Sequence, residues 1–254
     1  MSKKNDPSMT LMENLKTLQL SAMRESFQEQ AAKARQESLS YEHYLLELTT
    51  CEVAMRRQKR IERLLKSSKL PLEKNLASFE RKRLPAKVNQ QLSTLLDGSF
   101  LDRHENVMAF GTVGSGKTHV LCALAQELII TQGRQILFCK CPLLVQELLI
   151  AKRDLKLARV LKRLASWEGI IIDDIGYVQQ GREEMEVLFT LLAERYERGC
   201  VLLTSNLPFS KWESIFKDAM TTAAAIDRLV HHSVILEINL PSYRTEHAKQ
   251  KKAG

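Results

Sequence analysis

The chain predicts an α/β fold with a five-stranded parallel sheet, preceded by a small helical module. Three observations carry this. Between residues 106 and 238, short apolar runs alternate with longer stretches of helical periodicity. The short runs are apolar throughout rather than alternating, which marks strands covered on both faces. Ahead of them, residues 11–70 show only helical spacing.

Taken in order, residues 1–10 are expected to be disordered. Leu11, Leu15, Leu18 and Met23 then fit one helix reaching to about Arg35. Ser38-Leu39-Ser40 followed by Glu42 offers N-cap chemistry for a second helix. Its apolar stripe runs through Tyr44, Leu45, Leu48, Cys51 and Met55 to Ile61, Leu64 and Leu65. Residues 1–70 are therefore expected as a helical N-terminal domain. Pro71 and Pro85 punctuate a linker over 71–96, with Lys87 to Leu96 helical. The larger domain spans 97–254, with strands at 106–110, 135–140, 169–173, 200–204 and 233–238. Helices are expected at 117–132, 143–165, 183–198 and, with a break, 210–229. Gly133 and Gly199 stand where helix C-caps belong.

With 254 residues the chain is long enough to bury a core. No run approaches the eighteen or so apolar residues of a membrane span. The start, Met-Ser-Lys-Lys-Asn-Asp-Pro, has no apolar signal segment. Cys51, Cys122, Cys139, Cys141 and Cys200 are scattered, without paired spacing. Reduced thiols in a cytoplasmic protein are the expectation. The formal charge of +8 is concentrated. Between Arg56 and Arg83 eleven basic residues face three acidic ones, so this window alone carries the whole surplus. Arg56, Arg57, Lys59, Arg60 and Arg63 lie on the helical part of it. Such clustering points to phosphate backbones, although a charge run also serves as a solvated helix face.

The most informative stretch is Gly111-Thr112-Val113-Gly114-Ser115-Gly116-Lys117-Thr118, which fills the G-x-x-x-x-G-K-[ST] template. Gly111, Gly114 and Gly116 let backbone N–H groups, with that of Ser115, wrap a polyphosphate. Lys117 reaches its outer phosphates, and Thr118 holds Mg²⁺. The following helix adds its positive end. Ile170-Ile171-Ile172-Asp173-Asp174 delivers two carboxylates to the C-terminal end of a buried strand, where open parallel sheets bind ligands. Asp173 is placed for Mg²⁺ and Asp174 for the attacking water. Val201 to Asn206 repeats the pattern, with Asn206 suited to hold that water. ATP with Mg²⁺ is the expected ligand.

These motifs, with Asp173-Asp174-Ile175-Gly176-Tyr177, Thr204-Ser205-Asn206-Leu207-Pro208-Phe209, Trp212 and Ala225-Ile226-Asp227-Arg228-Leu229, resemble the IstB/DnaC-like AAA+ ATPases over about 95–245. Residues 11–70 resemble that family's helical N-terminal domain more loosely. The resemblance implies a Walker A loop at Lys117 and Thr118, Walker B carboxylates at Asp173 and Asp174, and a sensor at Asn206. It further implies an arginine finger at Arg228 that completes a neighbouring subunit's site. A plainer reading has Arg228 capping its helix or pairing with Asp227. Two departures stand out. The loop reads Gly-Thr-Val-Gly-Ser where the family commonly has Gly-Pro-Pro-Gly-Thr. The chain also ends soon after Arg244, so no C-terminal lid is expected and Arg244 is a candidate nucleotide contact. Lys152, Lys156, Arg159 and Arg163 step along one face of the 143–165 helix, flanked by Arg153. The resemblance implies that this region lines a DNA-facing channel, while a solvated helix face is the plainer reading.

The expected function is a helper ATPase of transposition that multimerises on double-stranded DNA and directs a transposase to its target. The alternative within the family is a helicase loader. From other classes come a P-loop phosphotransferase, for which no acceptor pocket or lid is visible, and a DNA-binding module with ATP as a structural ligand.

Overall fold

The computed structural model describes residues 7–175, 181–212 and 219–243. The chain divides into two compact units, 1–63 and 64–254.

The first unit contains α1 (Pro7–Thr17), α2 (Ser21–Gln36) and most of α3 (Tyr41–Ser68). Residues 7–10 are helical rather than disordered as expected, and residues 1–6 lie outside the described residues. Proline suits a first helical turn, where its missing N–H would have no partner anyway. The single helix expected over 11–35 is broken after Thr17, with Gln19 at φ +58°. A contact from α3 supports the break. Glu52 Oε2 accepts the Ala22 and Met23 N–H groups (2.8 and 3.2 Å), satisfying donors that α2 leaves open. Arg56 Nε donates to Glu52 Oε1 at 2.8 Å, and its Nη2 donates to the Gln19 carbonyl at 2.9 Å. Ser40 accepts the His43 N–H at 3.3 Å, as its place ahead of α3 predicts. Leu15, Phe27 and Leu48 form the small core, whereas Leu45 and Met55 of the expected stripe are exposed.

The second unit is built on β1 (Asn106–Phe110), β2 (Ile136–Lys140), β3 (Gly169–Ile175), β4 (Cys200–Ser205) and β5 (Ser233–Glu237). They form one sheet in the order β2-β3-β4-β1-β5, every pairing parallel. Alternation along the strands feeds two cores. Val107, Ala109, Ile171 and Leu202 pack with α4 (Ala86–Leu95), α5 (Ser99–Asp102) and α6 (Lys117–Gln132). Met108, Ile170, Ile172 and Leu203 pack with α7 (Cys141–Arg153), α8 (Leu157–Ala165), α9 (Arg182–Arg195) and α10 (Ala219–Val230).

Three expectations meet a different structure. The helix over 143–165 is two helices, because Leu155 adopts φ +56° between α7 and α8. Lys152 therefore does not share a helix face with Lys156, Arg159 and Arg163. Several of these cations are also engaged: Lys152 pairs with Glu186 (2.9 Å), Lys156 with Asp154 (3.3 Å) and Arg163 with Glu147. Gly133 caps α6 at φ +69°, but α9 ends at Arg195 with Tyr196 as its C-cap, and the left-handed residue there is Glu197. Gly199 is needed for space instead, since a Cβ would lie 2.4 Å from Arg195 Nη2. Finally, residues 71–96 belong to the second unit, where Leu84, Val88 and Leu92 are buried in the sheet's core. Gln126 of α6 straps their beginning down, donating to the carbonyls of Pro71 (3.1 Å) and Lys74 (2.9 Å).

Candidate nucleotide site

The site forms at the C-terminal ends of β1, β3 and β4, which the strand order brings side by side with β4 in the middle. Leaving β1, the chain needs three backbone conformations that L side chains rarely adopt. Gly111, Gly114 and Gly116 have φ of +152°, +79° and +100°. A Cβ on Gly111 would lie 2.1 Å from the Ile238 carbonyl, and one on Gly114 would lie 2.3 Å from Ser242 Oγ. These contacts come from the segment after β5, which runs along the loop. The Ile238 N–H donates to the Phe110 carbonyl (2.7 Å) and Thr112 Oγ1 to that of Leu240 (2.8 Å). The Tyr243 N–H donates to the Gly114 carbonyl (3.1 Å). The loop is thus pinned on its outer side.

Inside the loop, Lys117 is buried, and its Nζ donates to the carbonyls of Gly111 (2.9 Å) and Thr112 (2.7 Å). Ser115 Oγ is buried with no hydrogen-bond partner among the described residues, an orphan that a phosphate oxygen would satisfy. Thr118 Oγ1 donates to Asp173 Oδ1 at 2.7 Å, joining the start of α6 to the end of β3. Thr204 Oγ1 of β4 donates to the same oxygen at 2.8 Å and accepts the Asp174 N–H at 2.7 Å. A buried carboxylate and a threonine hydroxyl make the oxygen-only donor set that Mg²⁺ prefers.

Asp173 and Asp174 diverge because the β3–β4 register slips between Ile172 and Ile175, inserting one extra residue on β3. Asp174 takes φ +61° there, and its exposed carboxylate turns into the cavity that Asn206 also lines. Bulges of this kind re-aim side chains beside active sites.

The cavity measures about 290 Å³. Its far wall was not legible as a site in the sequence. Lys74, Phe79 and Arg83 come from the expected linker, and Leu240 and Tyr243 from the strap after β5. The Phe79 and His119 rings lie 4.9 Å apart, and Arg83 stacks over Tyr243 at 5.1 Å. His119 Nε2 is 3.1 Å from the Asn75 carbonyl and 3.3 Å from Ser78 Oγ. Burial pushes the His119 imidazole below its ordinary pKa, against the opposing pull of the Asn75 carbonyl.

Arg228 lies elsewhere. It lines a second cleft with Asn106 and Val201, at the N-terminal ends of β1 and β4. Its Nη1 donates to the Ala224 carbonyl (2.9 Å) and its guanidinium lies over Phe189 at 4.9 Å. Gly176, Tyr177 and Arg244 lie outside the described residues. Of the basic residues expected to meet DNA, Arg56 is held by Glu52 and Gln19, as described above. Among the described helices, none is long and apolar enough to cross a membrane.

Comparisons with known proteins agree with this geometry. Residues 13–251 match the family described as IstB-like ATP binding protein. An insertion sequence ATP-binding protein of Sinorhizobium fredii (strain NBRC 101917 / NGR234) is 36% identical over 239 residues, covering 94% of this chain and 80% of that one. The insertion sequence IS21 ATP-binding protein of Pseudomonas aeruginosa is 36% identical over 244 residues, covering 96% and 90%. Among solved structures, the DnaC helicase loader aligns with a TM-score of 0.52 at 16% identity, over 60% of this chain and 89% of that one. AMPPCP-bound DnaA from Aquifex aeolicus aligns at 0.55 with 17% identity, over 73% and 56%. At such identities these two speak for the fold. With the family match spanning nearly the whole chain and a phosphate cradle built at the mouth of its sheet, the chain belongs to the IstB-like ATP-binding proteins of insertion sequences, which are P-loop ATPases of the AAA+ class.

Proposed function

We propose that this ATPase assembles as a multimer on double-stranded DNA and directs the transposase of an insertion sequence to its target. The observation that supports it most is the separation of the catalytic groups. Asp174 and Asn206 face the phosphate cavity, whereas Arg228 lines a cleft at the opposite ends of the strands. An arginine so placed serves a neighbouring copy's site, which makes turnover conditional on assembly.

In this reading Lys117 and the loop N–H groups bind the β- and γ-phosphates, displacing the Gly111 and Thr112 carbonyls from Nζ. Thr118 and Asp173 would hold Mg²⁺, which when bound neutralises charge on the phosphate oxygens. Asn206 orients the attacking water and Asp174 accepts its proton. Arg228 of the adjacent copy stabilises charge on the transferring phosphoryl group. Arg57, Lys59, Arg60 and Arg63, with Arg153, Lys156 and Arg159, supply phosphate contacts to DNA without reading bases. A cytoplasmic location follows from a duplex DNA partner.

The test is ATP turnover with and without long duplex DNA, alongside electron microscopy of the same samples. Turnover that rises with DNA, together with ATP-dependent multimers on the duplex, supports the reading. Equal turnover by dispersed single chains overturns it.

A further inference from the structure

Away from the phosphate cavity, two turns bring together three side chains beside the cleft that Arg228 lines. Glu197 lies in the turn after α9, and His231 and His232 lie between α10 and β5. Each offers one ligand atom, and these atoms lie within 4.8 Å of one another. All three residues are exposed. We propose that they form a binding site for a divalent transition-metal ion of the zinc class.

The donor set argues for that class. Two imidazoles and one carboxylate suit Zn²⁺, Co²⁺ or Ni²⁺, whereas Mg²⁺ and Ca²⁺ favour oxygen alone. Tetrahedral zinc with bonds near 2.0–2.1 Å places its ligands roughly 3.3 Å apart. The three groups therefore close by at most about 1.5 Å from their observed limit of 4.8 Å. Exposed side chains make that movement by rotating, with no core to repack.

The backbone already fixes both turns. The His231 N–H donates to the Asp227 carbonyl at 3.0 Å, and the His232 carbonyl accepts the Asn106 N–H at 2.7 Å. Glu197 adopts the left-handed conformation (φ +58°) that glycine or asparagine would occupy more cheaply. The imidazole rings lie 4.2 Å apart. The Tyr196 hydroxyl is 3.2 Å from His231 Nδ1, a contact that orients the ring. Outer partners of this sort are a regular part of histidine metal sites.

Nearby cations are engaged elsewhere. Arg103 is held in both hands by Glu105 (2.8 and 3.0 Å), and Arg228 is directed over Phe189 and to the Ala224 carbonyl. Three protein ligands leave the fourth position to water.

The site stands independently of the DNA and transposase reading, and its test is direct. The whole chain is titrated with Co²⁺ and then Zn²⁺, following heat and the cobalt absorption spectrum. One ion per chain is expected, with a spectrum of nitrogen and oxygen ligands and no thiolate charge-transfer absorption. Replacing both imidazoles (His231→Gln with His232→Gln) weakens binding about a hundredfold, and Glu197→Gln or Tyr196→Phe about tenfold. ATP binding, unchanged in each variant, reports an intact fold. The two single variants keep the test decisive if the double one misfolds. No one-to-one binding by the wild type, a thiolate spectrum, or undiminished affinity in the variants would each overturn the site.

Discussion

Lys117 illustrates how much one residue carries. Its ammonium is buried against two loop carbonyls, 2.9 and 2.7 Å away, in a cradle shaped for phosphate. Charge-assisted hydrogen bonds contribute about 1.5–3 kcal/mol each. Lys117→Ala should therefore weaken ATP binding by roughly 100-fold, by fluorescent-nucleotide titration. Unchanged affinity refutes the site. Asp174→Asn should retain ATP binding and lower turnover by about 10²–10⁴, the range for removal of a general base. His119 makes a pH prediction. Burial holds its pKa below the unfolded value, so the folded protein binds fewer protons around and below pH 6.5. Stability then rises with pH through that region, is complete above it, and falls on acidification. His119→Gln should flatten that part of the profile in chemical denaturation at pH 5.5 and 7.5. An unaltered profile excludes His119 as its source.

At the scale of the element, α3 shows why a charge count is not a map of a binding face. Arg56 belongs to a structural junction: through Glu52 it closes the start of α2, and through Gln19 it holds the bend before it. Arg81 and Arg83 are similarly occupied, Arg81 with Asn89 (3.0 Å) and Ser93 (2.8 Å), Arg83 with Tyr243. Lys59, Arg60 and Arg63 are exposed and more lightly held, Lys59 by Ser21 Oγ at 3.5 Å and Arg63 by the Lys59 carbonyl at 3.2 Å. Arg60→Ala and Arg63→Ala should weaken duplex binding alike for all sequences. Removing one phosphate-bound cation should reduce the slope of log K against log salt by about 0.9. A weakening confined to one sequence contradicts phosphate contact. Arg56→Ala, by contrast, should lower stability, because burial would push the Glu52 carboxyl up and Arg56, with the Met23 and Ala22 N–H groups, outweighs that.

For the whole molecule, the parallel order β2-β3-β4-β1-β5 gathers the phosphate loop, both carboxylates and Asn206 at one end of the sheet. It leaves Arg228 at the other. Arg228→Ala should leave ATP affinity of the single chain intact and lower DNA-stimulated turnover by about 10³-fold or more. Full turnover would remove the action between copies. The strap after β5 is the second whole-chain feature. It joins β1 and the loop over more than a hundred residues of sequence, through Ile238, Leu240 and Tyr243.

The sequence by itself determined the five strands, the phosphate loop and the carboxylate pair, because those depend on local periodicity and on glycine at set spacings. Its longer helices were less secure. Periodicity cannot show the left-handed residues Gln19 and Leu155, which split two of them. Only the tertiary structure decided that Lys74, Phe79 and Arg83 of the expected linker line the cavity, that Thr204 ties Asp173 to Asp174, and that Arg56 braces its own unit. Each of these is a contact between distant residues, and such contacts exist only once the chain has folded and burial has set which polar groups must find partners.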